Sequence, residues 1–329
     1  MVCRLFDTTI IQDLLSKRAS MRYAKGMELT YLQAILIGLM QGITELFPVS
    51  SLGHSILVPA FLGGSWKHLV TETTTSHSEG SPYLAFIVAL HVATAIALLI
   101  FFRKEWIKLI KAFFVTLKTR KAKTVDEKLI WLIIAATIPV GAFGLIFEHQ
   151  LRVLFAKPLA AAIFLTINGV ILLAGERLRK HSEVSKQGRG LSSVTRVSIP
   201  DGKSITDLSW REAGFIGVAQ TLALFAGISR SGISLVAGLI RGLDHEDAAR
   251  FSFLLATPVI LAAGLLKIPS LFTEGGKGIL GQALVGSIVA GIAAYMSVKF
   301  LTKYFETRTL KPFGIYCLVF GIICIIKFH

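Results

Sequence analysis

The sequence predicts an all-helical membrane protein organised as an inverted repeat, in which each half contains one re-entrant helix hairpin and three transmembrane helices. Three observations lead to this prediction. The chain is too apolar for a water-soluble domain, it contains six apolar blocks long enough to cross a bilayer, and two interrupted apolar blocks in its two halves are similar to each other.

The composition excludes an ordinary soluble globule. Of the 329 residues, 53% are hydrophobic and 17% are charged, and the mean hydropathy is +0.66. Soluble chains carry about 25% charged residues. The net charge is +15, but the basic residues lie between the apolar blocks, as in cytoplasmic loops that face anionic lipid. We therefore expect membrane lipids, and not nucleic acid, as partners.

Apolar segments bounded by charged or turn residues lie at 31–48, 51–63, 83–102, 129–147, 158–174, 212–228, 232–241, 250–267, 279–298 and 312–327. Six of them approach or reach the roughly 20 residues that a membrane span requires. The other four form two pairs, each interrupted by a turn-forming stretch. We predict that each pair enters the bilayer and returns on the same side. Because lipid cannot satisfy backbone groups at that depth, the turns are expected to line a site.

The two predicted hairpins are similar in sequence. A shift of 179 positions superimposes six identical residues, among them Gln41 on Gln220 and Gly53 on Gly232. Each half then contains one hairpin and three spans, and because three is odd, the second half must cross the membrane in the opposite direction. Such a layout brings interrupted segments together near the membrane midplane.

The predicted membrane domain covers residues 27–329, with repeat 1 at about 29–176 and repeat 2 at about 209–329. Residues 1–26 form a basic N-terminal extension. This extension conflicts with the predicted orientation, and we interpret it either as a disordered exception or as sequence that precedes a translation start at Met27.

Basic residues also predict which loops are cytoplasmic. The loop at 103–128 holds nine Lys or Arg residues and the loop at 175–211 holds eight. Since positively charged loops remain on the cytoplasmic side, both loops are expected there.

Ionisable side chains within membrane segments are candidates for function because burying them in lipid is costly. Glu45 lies in the first hairpin, and Gln41, four residues earlier, projects from the same helix face. Their oxygen atoms are suited to a hard divalent cation such as Mg²⁺ or Ca²⁺, which commonly shares its coordination with substrate phosphates. The alternative is that Glu45 is a protonated structural carboxylic acid, or that it pairs with Arg230.

Ser50 and Ser51 precede the second arm of the first hairpin, where a serine commonly caps a helix. Ser51 and His54 are three residues apart, which places a hydroxyl and an imidazole on one helix face. Nucleophilic or acid–base catalysis requires such a pair.

The second hairpin contains Ser229-Arg230-Ser231-Gly232 at the start of its returning arm. Free backbone N–H groups, small hydroxyls and a guanidinium at a helix N-terminus are suited to binding phosphate. If the acidic and the cationic turn face each other, they form one site for the phosphate or diphosphate of a lipid. Phosphoryl transfer there would depend on charge neutralisation and positioning.

Two further sets of polar residues have simpler interpretations. His91 lies in an apolar run, and a hydrogen bond to a neighbouring helix is as good an interpretation as a functional role. Asp244 and Asp247 are spaced as in a capping box and predict the start of a helix.

At these residues the sequence resembles the undecaprenyl-diphosphate phosphatase family, the bacitracin-resistance type of integral membrane phosphatase. The first family motif, a Glu or Gln, three residues, a Glu and then Pro-x-Ser-Ser-x-Gly-His, is matched by Gln41, Glu45, Pro48, Ser50, Ser51, Gly53 and His54. The second, Pro-Gly-x-Ser-Arg-Ser-Gly, is matched by Gly227, Ser229, Arg230, Ser231 and Gly232. Ala226 replaces the proline, and the similarity covers essentially residues 27–329.

The resemblance implies hydrolysis of undecaprenyl diphosphate to the monophosphate and inorganic phosphate, which recycles the lipid carrier of cell-wall synthesis and confers bacitracin resistance. It also implies a divalent cation, Mg²⁺ or Ca²⁺, and a multi-pass protein of the bacterial cytoplasmic membrane whose site opens to the outer, periplasmic side.

The same resemblance implies roles for individual residues. By position, the catalytic roles fall to Glu45, Ser51, His54 and Arg230. Metal binding falls to Glu45 and Gln41, and substrate binding to Gln41, Ser50, Ser229, Ser231 and Gly232. The nucleophile is left open between Ser51, His54 and water.

A transporter is the competing interpretation. Inverted repeats with interrupted helices are a common construction of transporters, and a pocket lined by Arg230 could carry polyprenyl phosphate between leaflets. The fold alone does not distinguish the two functions, because one scaffold can host both. The oligomeric state is also left open, with a homodimer among the options.

Overall fold

A computed structural model of the chain describes residues 29–66, 69, 82–147, 150, 157–187, 202–272 and 278–329. Within these ranges the protein is all-helical, as predicted, and contains no β-strand. The predicted basic extension at 1–26 lies outside the described residues.

The first half of the chain begins with a pair of short helices and continues with longer ones. The helices are α1 (Tyr31–Thr44), α2 (Ser51–Leu62), α3 (Pro82–Phe101), α4 (Arg103–Thr119), α5 (Val125–Ile146) and α6 (Pro158–Gln187). The described part of the second half follows the same order of α-helices but contains no equivalent of α4. Its elements are a 3-10 helix (Ile205–Asp207), α7 (Trp210–Ala219), a 3-10 helix (Gln220–Leu224), α8 (Arg230–Ile240), α9 (His245–Lys267), a 3-10 helix (Ile268–Phe272), α10 (Leu280–Phe305) and α11 (Lys311–Phe328).

The six predicted spans are confirmed. In the described part of the chain, six helices are long and apolar enough to cross a membrane: Tyr83–Phe101, Val125–Ile146, Pro158–Arg179, His245–Leu266, Leu280–Phe305 and Lys311–Phe328. The helices α1, α2 and α8 are apolar but shorter. Of these, α2 and α8 are the second members of the two predicted pairs, and the breaks in the helix before each of them agree with the predicted interruptions.

The stretch 103–128 is not simply a loop, because most of it forms α4. The prediction of a loop rested on its charged residues and overlooked an amphipathic pattern. Four buried residues recur in it at helical spacing: Trp106, Leu109, Ala112 and Thr116. Similarly, α6 continues to Gln187, well into the second predicted basic loop.

Local capping explains where several helices begin. Thr30, Thr124 and Ser209 each accept a hydrogen bond from the backbone of the third helical residue, whose Gln or Glu side chain bonds back to the cap. Asp244 caps α9 by accepting a 2.7 Å hydrogen bond from the Asp247 N–H. The cap predicted there is confirmed, although the Asp247 carboxylate accepts from Ser204 rather than closing the box.

Small residues allow the closest helix contacts. A Cβ atom at Gly38 of α1 would collide with the backbone carbonyl of Gly286 on α10. A Cβ atom at Gly169 of α6 would come within 2.8 Å of the Gly314 carbonyl oxygen on α11. Backbone contact of this kind is how membrane helices gain packing energy where lipid provides no hydrophobic drive.

The two ends of the α7–α8 pair lie next to each other. Lys203, ahead of α7, donates a 2.7 Å backbone hydrogen bond to Gly242, just after α8. The Lys203 ammonium also contacts both carboxylate oxygens of Glu212, at 2.9 and 2.7 Å. Burial raises the pKa of Glu212, but hydrogen bonds from Lys203 and Ser209 outweigh it and lower the pKa to about 2.

Candidate active site

Two serine-capped turns precede α2 and α8. Ser50 precedes α2, and its side chain accepts a 3.2 Å hydrogen bond from the Gly53 N–H. Ser229 precedes α8 and accepts a 3.1 Å hydrogen bond from the Gly232 N–H. The two superimposed Ser-x-x-Gly segments therefore make the same cap. This explains why serine and glycine occur at matching positions in both halves.

The two turns contact each other directly. The N–H of Gly227 donates to the Ser50 hydroxyl at 3.2 Å, and the Ser231 hydroxyl donates to the Phe47 carbonyl at 3.2 Å. Gly227 has φ +112°, and a Cβ atom there would collide with the Ala161 carbonyl of α6. A glycine is therefore required at this position for the turns to meet.

Glu45 is the centre of the polar cluster between the turns. One of its oxygens, Oε1, lies 2.5 Å from the Arg230 guanidinium. The other, Oε2, accepts from the Ser51 hydroxyl at 2.5 Å and from the Gln41 amide at 3.1 Å. His91 Nε2 lies 3.2 Å from the same oxygen. The structure thus brings together the acidic and the cationic turn, as the sequence predicts.

The cluster is removed from bulk solvent. The Glu45 and Arg230 side chains are 5% and 14% exposed. Removing one partner of a buried carboxylate–guanidinium pair is strongly destabilising, because it leaves an uncompensated charge. The Arg230 side chain thus keeps a small exposed fraction, whereas that of Glu45 is almost completely covered.

His54 belongs to the turn but faces away from Glu45. Its Nδ1 donates to the Ser50 carbonyl at 2.7 Å, and its Nε2 lies 2.7 Å from the Tyr316 hydroxyl. Its ring stacks on those of Tyr316 and Phe320. Both ring nitrogens are therefore occupied outside the Glu45 cluster, so the predicted pairing of Ser51 with His54 gives way to a pairing of Ser51 with Glu45.

The serines predicted to bind substrate have structural partners. The hydroxyls of Ser229 and Ser231 lie 3.0 Å apart, and the Ser229 hydroxyl also accepts from Gly232. Both residues are buried. Together with Ser50, they build the turn backbone beside Arg230.

Two contributors to the site were not predicted as site residues. Asn168, at the middle of α6, donates to the Pro48 carbonyl and accepts from the Ser229 N–H, both at 3.0 Å. Tyr316 of α11 contacts His54. His91, whose role the sequence leaves undecided, contacts Glu45. The available signal for Asn168 was a lone amide within a membrane span, which is costly to bury.

The residues present fit a divalent cation in one respect. The Gln41 amide nitrogen donates a hydrogen bond to Glu45, and the Oε1 atom of Gln41 is buried without a hydrogen-bond partner among the described residues. An unsatisfied buried oxygen is unusual and is suited to Mg²⁺ or Ca²⁺. The described residues contain no cluster of three or more His, Cys, Asp or Glu side chains that could hold a metal. Substrate oxygens would therefore have to supply much of the coordination.

The fold and the site define a polytopic helical membrane protein with an acid–arginine cluster buried between two facing turns. The family described as "Bacitracin resistance protein BacA" matches residues 34–323. The chain belongs to this family.

Several curated relatives align over nearly their whole length. "Undecaprenyl-diphosphatase 2" of Frankia alni is 58% identical, with 92% of this chain and 98% of the relative covered. "Undecaprenyl-diphosphatase" of Mycolicibacterium paratuberculosis is 52% identical, with 89% and 95% covered. "Undecaprenyl-diphosphatase" of Mycobacterium avium is 51% identical, with 89% and 96% covered. The resemblance found in the sequence motifs is therefore confirmed.

Proposed function

We infer that this protein hydrolyses undecaprenyl diphosphate to undecaprenyl phosphate and inorganic phosphate. The family and the names of relatives up to 58% identical support this function. The observation that carries it is the contact of Glu45 with both Arg230 and the Ser51 hydroxyl, each at 2.5 Å. The activity regenerates the lipid carrier used in cell-wall synthesis.

Arg230 is the proposed anion-binding residue. Its guanidinium offers several donors in a fixed plane and suits phosphate oxygens. In the described structure it pairs with Glu45, and an entering diphosphate would share or replace that partner. The N-terminus of α8, directly at Arg230, adds backbone N–H groups of favourable polarity.

Ser51 is the proposed nucleophile, with Glu45 as its base. A nucleophile and a base within hydrogen-bond reach are the arrangement that covalent catalysis needs. The Ser51 oxygen would form a bond to the terminal phosphorus while its proton passes to Glu45. The bond from that phosphorus to the bridging oxygen breaks, and undecaprenyl phosphate leaves. Water then cleaves the phosphoserine, releasing inorganic phosphate and restoring the hydroxyl.

A divalent cation, Mg²⁺ or Ca²⁺, is proposed to be held by Gln41 and Glu45. The orphaned Oε1 of Gln41 supports this assignment. When bound, such an ion would neutralise charge on the diphosphate. Arg230, Ser51 and Glu45 would still position the terminal phosphate and transfer the proton.

The membrane arrangement is part of the proposal. We propose that α1–α2 and α7–α8 are re-entrant hairpins of an inverted repeat. The neighbouring ends of the α7–α8 pair, joined by Lys203 and Gly242, support a return to one side. The basic stretches near 103–128 and 175–211 favour a cytoplasmic location for that side, with the site open to the periplasmic side of the inner membrane.

Phosphate release by purified protein tests the function. With Mg²⁺ or Ca²⁺ in detergent, the protein should release phosphate from undecaprenyl diphosphate. Glu45→Gln and Arg230→Lys should each lower kcat/KM by at least about 100-fold. The exposed Glu306→Gln and Arg308→Lys, outside the site, are matched controls that should retain activity.

The same preparation distinguishes hydrolysis from transport. If no metal ion supports phosphate release while vesicles containing the protein still move polyprenyl phosphate between leaflets, the transporter interpretation is correct. The names of the relatives do not favour that outcome.

A further inference from the structure

We propose that α4 is an interfacial helix that binds anionic phospholipid headgroups with a row of lysines, while a neighbouring apolar face inserts between the acyl chains. The proposal concerns a surface far from Glu45 in the sequence and does not depend on the phosphatase activity. It rests on the three faces of the helix, its position at one end of the bundle and its charge.

One face of α4 attaches it to the protein. Trp106, Leu109 and Ala112 are buried. Thr116 accepts a 2.8 Å hydrogen bond from the Trp131 indole of α5. Phe113 also packs on Trp131, with ring centroids 5.5 Å apart. The helix is therefore held in a defined rotation about its axis, which determines what its other residues face.

The second face is apolar and uncovered. Its large side chains have exposed fractions of 54%, 47%, 64% and 51%, at Ile107, Ile110, Phe114 and Leu117 respectively. At about 100° per residue these four positions form one continuous sector beside the buried face. Exposed to water, such a sector would be costly, so it requires an apolar environment.

The third face is basic. Four exposed lysines, Lys104, Lys108, Lys111 and Lys118, fall within a sector adjoining the apolar one, on the side away from the bundle. An apolar sector flanked by lysines is the pattern of a helix that lies in the plane of a membrane interface.

Two contacts place α4 across one end of the bundle. Near its start, Glu105 accepts a 3.1 Å hydrogen bond from Arg250, in the second turn of α9. Near its end, Thr116 contacts Trp131, in the second turn of α5. In the membrane arrangement proposed above, α5 and α6 cross out and back and the α7–α8 pair returns to the side it entered from. In that arrangement α5 and α9 begin on the same face. The two contacts are about 16 Å apart along α4, yet both lie at similar depth, as in a helix parallel to that face.

Anionic phospholipid is the ligand that satisfies both uncovered faces. Its acyl chains would cover the apolar sector, and its phosphate would lie beside the lysine heads. Basic residues close to an anionic membrane surface are attracted to it electrostatically. A soluble acidic partner would complement the lysines but would leave the apolar sector without a matching environment.

Lipid-specific quenching tests this proposal in the full chain. Cys3→Ser with Ile110→Cys allows bimane labelling at position 110, since Cys317 and Cys324 are buried. The protein is reconstituted in equal parts of phosphatidylglycerol and phosphatidylcholine, with brominated acyl chains on only one lipid at a time. Brominated phosphatidylglycerol should quench at least about twofold more than brominated phosphatidylcholine. A label at Ile288→Cys, lipid-exposed on α10, should show equal quenching.

Charge variants identify the lysine face as the cause. The quenching ratio should fall to about one when all four lysines are replaced together, as Lys104→Gln, Lys108→Gln, Lys111→Gln and Lys118→Gln. A matched set in the following segment, Arg120→Gln, Lys121→Gln, Lys123→Gln and Lys128→Gln, should leave the preference in place. In the labelled protein that keeps all four lysines, salt at about 1 M should also lower the quenching ratio, because salt screens exposed charges.

Several results would overturn the proposal. Absence of quenching by either lipid would place α4 outside the membrane. Equal quenching by both lipids would remove the headgroup preference. If the preference for phosphatidylglycerol persists after loss of the four lysines and in high salt, the lysine face is not responsible for it. The same holds if the matched set of substitutions abolishes the preference equally.

Discussion

Asn168, in the middle of α6, accepts a 3.0 Å hydrogen bond from the backbone N–H of Ser229. Its amide nitrogen donates to the Pro48 carbonyl, also at 3.0 Å. One side chain therefore binds the turn that precedes Arg230 and the turn that follows Glu45. Because the residue is fully buried, loss of this link would leave the Ser229 N–H unsatisfied in an apolar environment. The Pro48 carbonyl would keep a 3.9 Å contact from the Cys317 thiol.

Asn168→Ala is expected to reduce kcat by roughly 10-fold to 100-fold, because small displacements of reacting groups are costly to catalysis. Asn168→Asp keeps the acceptor for the Ser229 N–H but loses the donor to the Pro48 carbonyl. Its kcat should therefore lie between that of Asn168→Ala and that of the unaltered protein. Thr166→Ala is the matched control, since the Thr166 hydroxyl donates to the Ala162 carbonyl of the same helix. If kcat tracks thermal stability equally in all three variants, Asn168 has only a structural role.

His91 is expected to orient the carboxylate of Glu45. It is held by a 2.8 Å hydrogen bond between its Nδ1 and the Ile87 carbonyl, which directs Nε2 at Glu45. His91→Leu should lower kcat by about 10-fold, the value of one hydrogen bond to a charged group. His91→Gln should retain more activity because its amide can still donate.

The measurement for His91 is kcat and KM at saturating metal ion. His329→Gln, at the exposed C-terminus, serves as control. An unchanged kcat in His91→Leu would assign His91 to helix packing alone, the simpler of its two interpretations from sequence.

Gln41 is expected to determine the affinity for the metal ion. Gln41→Leu removes the orphaned oxygen and should raise the Mg²⁺ or Ca²⁺ concentration for half-maximal activity by about 10-fold or more. Gln41→Glu adds a carboxylate and should lower the metal-ion concentration for half-maximal activity. Gln220→Leu is a matched control, because Gln220 occupies the equivalent position and is fully buried. Its Oε1 also has no hydrogen-bond partner in the described part of the chain. Direct binding of Mg²⁺ by calorimetry should follow the same order, and identical curves for Gln41→Leu and Gln220→Leu would exclude Gln41 as a ligand.

The stability of the α7–α8 base should depend on acid pH. Hydrogen bonds from Lys203 and Ser209 overcome the effect of burial and hold the pKa of Glu212 near 2, below its ordinary value of 4.5. A lowered pKa in the folded state adds stability above pH 4.5, and this contribution is lost as the pH falls from there through about 2. The melting temperature of Glu212→Gln should therefore be lower than that of the unaltered protein at pH 6. The difference should shrink toward pH 2, and a constant difference would contradict the assignment.

Much of the fold and site could be predicted because lipid penalises polar groups so strongly. Glu45 and Arg230 stand out in apolar segments, and the interruptions beside them predict two turns that would be unstable unless they met. The two basic stretches were harder to interpret. Charge density predicted loops, whereas the apolar residues spaced along α4 build a helix whose buried face is apparent only when α5 and α9 are present.

The partner of each side chain could not be predicted in the same way. Ser51 and His54 share a helix face by spacing, yet Ser51 bonds to Glu45 while the ring of His54 lies between Tyr316 and Phe320. Asn168 is a single amide in a span of ordinary composition. Its two partners lie in different hairpins, and only the packing of α6 against both turns brings them within hydrogen-bond distance.

The amino-acid sequence alone was sufficient to predict a helical membrane protein with six spans and two similar interrupted segments. It also predicted an acidic residue and an arginine at the turns of those segments. Hydropathy and spacing are local properties, and they carry this information directly. The tertiary structure decided that Ser51 and His91 share Glu45, that His54 does not, and that Asn168 joins the turns. These contacts depend on how helices cross and rotate against one another, which the packing of the whole bundle controls.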